Sequence, residues 1–398
     1  MEEVAKRLNL IEESQTIAMA KLGRKLADQG HHVISLSFGQ PDFDTPQHIK
    51  DAAKKAIDEG YTKYTPVPGA PELRKAISEK FKRENNLDYA PDQVVVSTGA
   101  KHSLMNVVLS LVNPGDEVLI PTPYWVSYTE MVKLAEGIPV FIRTSVNNKY
   151  KVTAEQIKAA MTPKTKLMIF SSPCNPTGSI YSKDELRAIA EVFKNQDNCY
   201  IMADEIYEYI NFIGKHESIG QFDFIKDKVI TVNGVAKGFA MTGWRIGYMG
   251  APKFIADACD KLQGQFTSGA NSIAQMATLA ALTSDLQPTR DMRDDFLRRR
   301  DMVLELMKEI PGFKTYIPDG AFYIYPDVTA YFGKTDEQGN VISNSMDLCM
   351  YILNKAYVAL VPGEAFGEPK GIRFSYAASD DDLKEALRRI KEVLAKLK

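Results

Sequence analysis

The chain reads as an α/β protein: a mostly parallel sheet covered by helices on both faces, followed by a smaller α+β unit. Three observations predict this. From Gln93 onward, short apolar runs rich in β-branched residues alternate with amphipathic helical stretches. The runs VVVS, DEVLIP, IPVFIRT, KLMIFSSP, CYIMADEIY, KVITVNG and GWRIGYMGAP are continuously apolar rather than alternating, as strands buried on both faces are. Past the long helical stretch RDMRDDFLRRRDMVLELMKEI the pattern changes, with strands GAFYIYPDV and GIRFSYA flanking the helix MDLCMYILNKA and an amphipathic helix closing the chain.

The elements before Gln93 follow in order. SQTIAMAKLGRKLADQG has helical spacing and ends on Gly30, a C-cap glycine, after an N-terminal arm. Val33, Ile34 and Leu36 form a short strand that breaks at Gly39 and Pro41. Thr45 is expected as an N-cap with Pro46 at the first helical position. A Pro/Gly loop holding Tyr61 and Tyr64 then leads into a charged helix whose basic run, Lys80 to Arg83, reads as a solvated face. The charges of both signs between Arg290 and Ile310 read as solvated too.

At 398 residues, 44% hydrophobic and 25% charged, the chain is long enough for two or three domains with a large core. Forty-nine basic against fifty-one acidic side chains leave a net charge of -2, which argues against a nucleic-acid or anionic membrane surface. Attraction for an anion must then be local. Cys174, Cys199, Cys259 and Cys349 are far apart and form no C-x-x-C pair, which fits reduced thiols, no metal and a cytoplasmic location. The N-terminus, MEEVAKRLNL, lacks the apolar core of a signal peptide, and no apolar run reaches membrane-spanning length.

Parallel sheets place ligands at the carboxyl ends of their strands, and distinctive residues collect there. After VVVS, the turn Thr98-Gly99-Ala100-Lys101 opens a helix and offers free amides to an anion, although such turns also serve packing alone. After KLMIFSSP, Asn175 heads N-P-T-G, which is either a donor to the crevice or an ordinary turn. CYIMADEIY ends on Asp204, an acid costly to bury without a partner, with Tyr207 three residues on. KVITVNG enters a turn of small residues carrying Lys237, and Arg245 follows eight residues later in G-W-R-I-G. A poorly solvated lysine favours its neutral, nucleophilic form, and a guanidinium suits phosphate. Acid, phenol, amine and guanidinium in this order are what a pyridine cofactor requires.

With N-P-T-G, A-D-E-I-Y and A-K-G-F-A-M-T-G-W-R-I-G-Y in place, the sequence resembles the pyridoxal-phosphate-dependent aminotransferases of fold type I, class I, and most the prokaryotic branch of the aspartate aminotransferases. The likeness runs from S-Q-T near the start to G-I-R-F-S-Y-A near the end. It implies a seven-stranded sheet in a large cofactor domain at 45–286, a small C-terminal domain at 287–398, and an arm plus part of the small domain at 1–44. It implies Lys237 as the Schiff-base lysine, Asp204 as partner of the ring nitrogen, and Tyr207 and Asn175 as ligands of the ring oxygen. Gly99, Ala100, Lys101 and Arg245 would hold the phosphate, and Trp125 would stack on the ring. Tyr64 would reach the neighbouring subunit's cofactor in a homodimer. Arg373 would take the substrate α-carboxylate, with Gly39 lining the site. Ala236 stands where many relatives carry serine, so one possible hydroxyl contact is missing.

An acidic substrate is expected because Lys101 and the S-x-T pair Ser14 and Thr16 resemble the pocket for a distal carboxylate, so aspartate and 2-oxoglutarate are the implied pair. The alternatives are a solvated Lys101, an S-x-T that merely caps a helix, and a substrate that is aromatic, kynurenine or alanine. Relatives that use prephenate have a lysine where this chain has Glu12, which argues against that activity. The implied mechanism is a ping-pong transamination in which the freed Lys237 carries a proton between the substrate α-carbon and the cofactor. A β-lyase on the same cofactor remains open, whereas a non-enzymatic regulator would need an additional recognition helix.

Overall fold

The structure, a computed structural model, describes residues 4–398. Its strands are β1 (Ile34–Ser35), β2 (Val94–Ser97), β3 (Glu117–Thr122), β4 (Ile138–Arg143), β5 (Thr165–Ser171), β6 (Tyr200–Asp204), β7 (Val229–Gly234), β8 (Gly247–Gly250), β9 (Tyr323–Ile324), β10 (Val358–Ala359), β11 (Val361–Pro362) and β12 (Ile372–Ser375). Seven of them form one sheet in the order β2-β8-β7-β6-β5-β3-β4. Only β8 runs antiparallel to its neighbours; the other pairings are parallel. The apolar runs are continuous because successive residues feed opposite cores. Leu167 and Ile169 pack with Leu104, Val108 and Ile255 on one face, while Met168 and Phe170 pack with Leu186, Ile189 and Phe193 on the other.

β1 pairs in parallel with β10, and β11-β12-β9 form a small antiparallel sheet. Phe296, Val303, Leu348, Ile352, Leu387 and Ile390 from the helices Gln287–Lys308, Ser345–Ala356 and Asp380–Leu394 share one core with Ile34, Val358 and Phe374. The four cysteines are free. Among the described residues, no helix is long and apolar enough to cross a membrane.

Three local expectations are corrected. Thr45 caps no helix: the helix is Gln47–Asp58 with Pro46 at the cap position and no side-chain cap. The Thr45 hydroxyl instead donates to the Ala240 carbonyl at 2.7 Å and accepts from Trp244 Nε1 at 3.0 Å. Lys80 is not solvated; it is 0% exposed. Its ammonium pairs with Glu208 and donates to Asn85 Oδ1 at 2.7 Å, and the Asn85 amide reaches Glu208 at 2.7 Å. Glu205 lies beside them and takes Ser218 Oγ at 2.6 Å and His216 Nε2 at 2.9 Å. A helix period sends every third or fourth residue inward, and here one of those positions is charged, which is tolerable only because every charge has a partner. Finally, Arg299 is buried, bonding Asp42 at 2.7 Å and lying 5.0 Å from the Phe43 ring.

Candidate active site

The carboxyl edge of the large sheet is where the chain gathers its chemistry. Register sets Ser171 opposite Asp204 and Asp204 opposite Val232, so the segments after β5, β6 and β7 open on one side. The start of β8 returns to that edge, with Gly247 paired to both Ser97 and Gly234. Gly247 has to be glycine, because an added Cβ would strike the backbone of Gly99 and Ala100. Gly99 has φ +83° and opens the helix Ala100–Leu111, whose first amides have no intrahelical partner. A Cβ on Gly99 would meet the guanidinium of Arg245, so the two glycines bring that cation over the helix N-terminus.

A cavity of about 280 Å³ lies there. Lys101, Lys237, Arg245 and Arg373 line it, and Asp204 is its one carboxylate among the described residues. Ser14, Thr16, Gly39, Ala100, Trp125, Asn175 and Tyr207 line it as well. Gly99 sits beneath Arg245 at its edge. Tyr64 does not line it and is 99% exposed on the surface of the single chain.

Lys237 donates to the Gly39 carbonyl and lies 5.7 Å from the Tyr207 ring centroid. Burial, with help from Arg373 and Arg245, pulls its pKa down to about 8, against an opposing pull from Asp204. Asp204 is buried and its carboxyl is pushed up to about 6 by that burial, while the Tyr128 hydroxyl at 2.7 Å and the Ile206 amide at 3.2 Å stabilise its charge. The Tyr207 and Tyr323 hydroxyls share a hydrogen bond of 2.7 Å. Arg373 is 2% exposed, donates to Asn175 Oδ1 at 3.0 Å and to the Ser37 carbonyl, and stacks 4.6 Å from the Tyr323 ring. Its Nε is buried without a partner among the described residues. Asn175 therefore offers the cavity its amide nitrogen rather than its carbonyl. The Lys101 ammonium lies 4.9 Å from the Trp125 ring, with its pKa lowered by desolvation and then by Arg245. Ser14 occupies the cap position of the helix Gln15–Asp28 but makes no side-chain cap bond, which leaves its hydroxyl to the cavity.

Sequence reasoning missed Tyr128, Tyr323 and Ser171. Tyr128 stands three residues after Trp125, a helical spacing that could have put the two rings together; they meet edge-on at 5.5 Å. Tyr323 belongs to a two-residue strand, too short for periodicity to assign a face. Ser171 is a small polar residue at a strand end, with nothing local to distinguish it.

A sequence model of the family described as aminotransferase class I and II matches residues 31–390. A protein from Cereibacter sphaeroides named aspartate/prephenate aminotransferase is 46% identical, over 97% of this chain and 97% of its own. The aspartate aminotransferase of Bacillus subtilis is 43% identical, over 99% of each. The crystal structure of the aspartate aminotransferase from Rhizobium meliloti superposes with a TM-score of 0.97 at 41% identity, covering 100% of both chains.

Proposed function

The chain belongs to the class I and II aminotransferases, and from that premise we propose that it transfers the amino group of aspartate to 2-oxoglutarate with pyridoxal 5'-phosphate as cofactor. One observation carries this: among the described residues, four cationic side chains and a single carboxylate line one cavity at the sheet edge. The residues fit that cofactor on their own chemistry. Free amides at Ala100 and Lys101, under the Arg245 guanidinium, suit a phosphate. Asp204 suits a protonated ring nitrogen, and the Arg373 Nε, without a partner among the described residues, leaves a donor for a carboxylate oxygen.

Pyridoxal phosphate, when bound, supplies an aldehyde that joins amines and a ring that draws electrons from the substrate α-carbon. The protein does the rest. The fork of Arg373 takes the α-carboxylate, and Lys101 with Ser14 and Thr16 takes the distal one. Lys237 Nζ moves the proton on and off the α-carbon. With that cofactor bound, Asp204 would hold a proton on the ring nitrogen, Tyr207 and Asn175 would donate to the ring oxygen, and Trp125 would cover the ring. Two half-reactions share the site, so the oxo acid formed from the donor leaves before the acceptor oxo acid enters, and the acceptor leaves as an amino acid.

Lys101→Ala is expected to lower kcat/KM for aspartate by roughly tens- to a thousandfold, and far less for alanine or phenylalanine, because a charge-assisted contact is lost only where a second carboxylate exists. A panel of donors and oxo acids measures this. An equal loss for every substrate would remove the aspartate assignment and leave Lys101 to the phosphate. The relatives named for prephenate support a second reading, which the same panel tests; against it, Glu12 brings an acid to the arm, anchored by its amide on Glu130 at 2.8 Å. Pyruvate release without any oxo acid would instead mark a β-lyase.

The exposed phenol of Tyr64 completes the proposal: in a homodimer, Tyr64 of the partner subunit adds a hydroxyl to the phosphate. Activity is expected to fall as sedimentation shows the dimer separating on dilution. A fully active monomer would end this part of the assignment.

A further inference from the structure

We propose that Tyr128 is a positioning residue that fixes both the orientation and the charge of Asp204 toward the cofactor ring, an inference that rests on the cofactor assignment above. Tyr128 is 1% exposed on the helix Ser127–Leu134, and its hydroxyl donates to Asp204 Oδ2 at 2.7 Å. The Ile206 amide holds Oδ1 at 3.2 Å. Each oxygen thus has one fixed donor, and the carboxylate cannot turn without losing one of them. The phenol is itself held, edge-on to Trp125 and packed among the apolar residues of the sheet face. Burial raises its pKa well above that of free tyrosine, so it donates throughout the working range.

The other titratable groups facing Asp204 are Lys237 from the turn after β7, Glu205 and Tyr207 on its own segment, and Cys174 from the turn after β5. Only Lys237 among them favours the ionised acid, and its charge is no longer available once that amine reacts. Tyr128 and the Ile206 amide are the donors that persist. Removing the phenolic oxygen should therefore leave a carboxyl that protonates at higher pH and is freer to rotate.

The test is titration of the apoprotein with pyridoxal phosphate, followed by fluorescence, across the acid-to-neutral range. Tyr128→Phe is expected to weaken binding roughly tenfold near neutrality and to move the acid limb of the affinity profile up by about one pH unit. In an Asp204→Asn background the same substitution should add nothing. Tyr128→Phe keeps the packed ring and loses one oxygen, and a thermal melt checks that the variant is folded before its profile is read. A Tyr128→Phe profile that superimposes on the wild type, or an equal further loss from Tyr128→Phe in the Asp204→Asn background, overturns the proposal. Wild-type protein that fails to bind pyridoxal phosphate at all would overturn the cofactor assignment, and this proposal with it.

Discussion

Lys237→Ala is expected to lower kcat for transamination on the order of a thousandfold or more, because the variant loses the one amine placed to move the α-proton. The environment of Lys237 leaves far more of it in the neutral, proton-accepting form than a surface lysine has. With its pKa at about 8, roughly one amine in ten is unprotonated at pH 7, against about one in three thousand at the ordinary value. Capture of cofactor by the apoprotein should accordingly speed up with pH and level off above about pH 8. The variant should still retain pyridoxal phosphate through gel filtration, because Arg245 and the amides at Ala100 and Lys101 are untouched. Near-normal turnover by Lys237→Ala would remove the lysine from the mechanism.

Arg373→Gln should reduce kcat/KM for every amino acid alike, by roughly tens- to a thousandfold. Its guanidinium is held on Asn175 and the Ser37 carbonyl and stacked on Tyr323, so it is pre-set for a planar carboxylate rather than recruited from solvent. Every amino acid presents an α-carboxylate, which separates this variant from Lys101→Ala. Kinetics on aspartate, alanine and phenylalanine side by side provide the check, with a thermal melt to show that the variant is folded. A loss confined to aspartate would assign Arg373 to the side chain instead.

The large sheet was legible because its strands are long enough for continuous hydrophobicity to show, and the residues at their ends stand out against that background. Asp204, Lys237 and Arg245 could be singled out for that reason, and the structure gathers them around one cavity. Tyr128 could not, because a tyrosine inside an amphipathic helix looks like packing until its hydroxyl is seen to reach strand β6. Lys80 misled for a related reason: in a run of charges, periodicity does not tell which one turns inward. Its carboxylate partner Glu208 lies more than a hundred residues away. Thr45 followed local capping rules, but tertiary bonds to Ala240 and Trp244 outcompeted the cap.

The pairing of Lys80 has a consequence for cooperativity. It joins the end of the helix Pro71–Lys80 to Glu208 and, through Asn85, to Glu205 with His216 and Ser218. Asp204, which ends β6, and Tyr207 lie within the same few residues as Glu205 and Glu208, so the segment proposed to carry the chemistry is riveted from behind. Fraying it would strand charges in an apolar interior, so it has no inexpensive partly open form. That turn opens with the body of the large sheet or not at all. By contrast, the arm at Lys6–Leu10 has no buried residue, so no comparable anchor holds it.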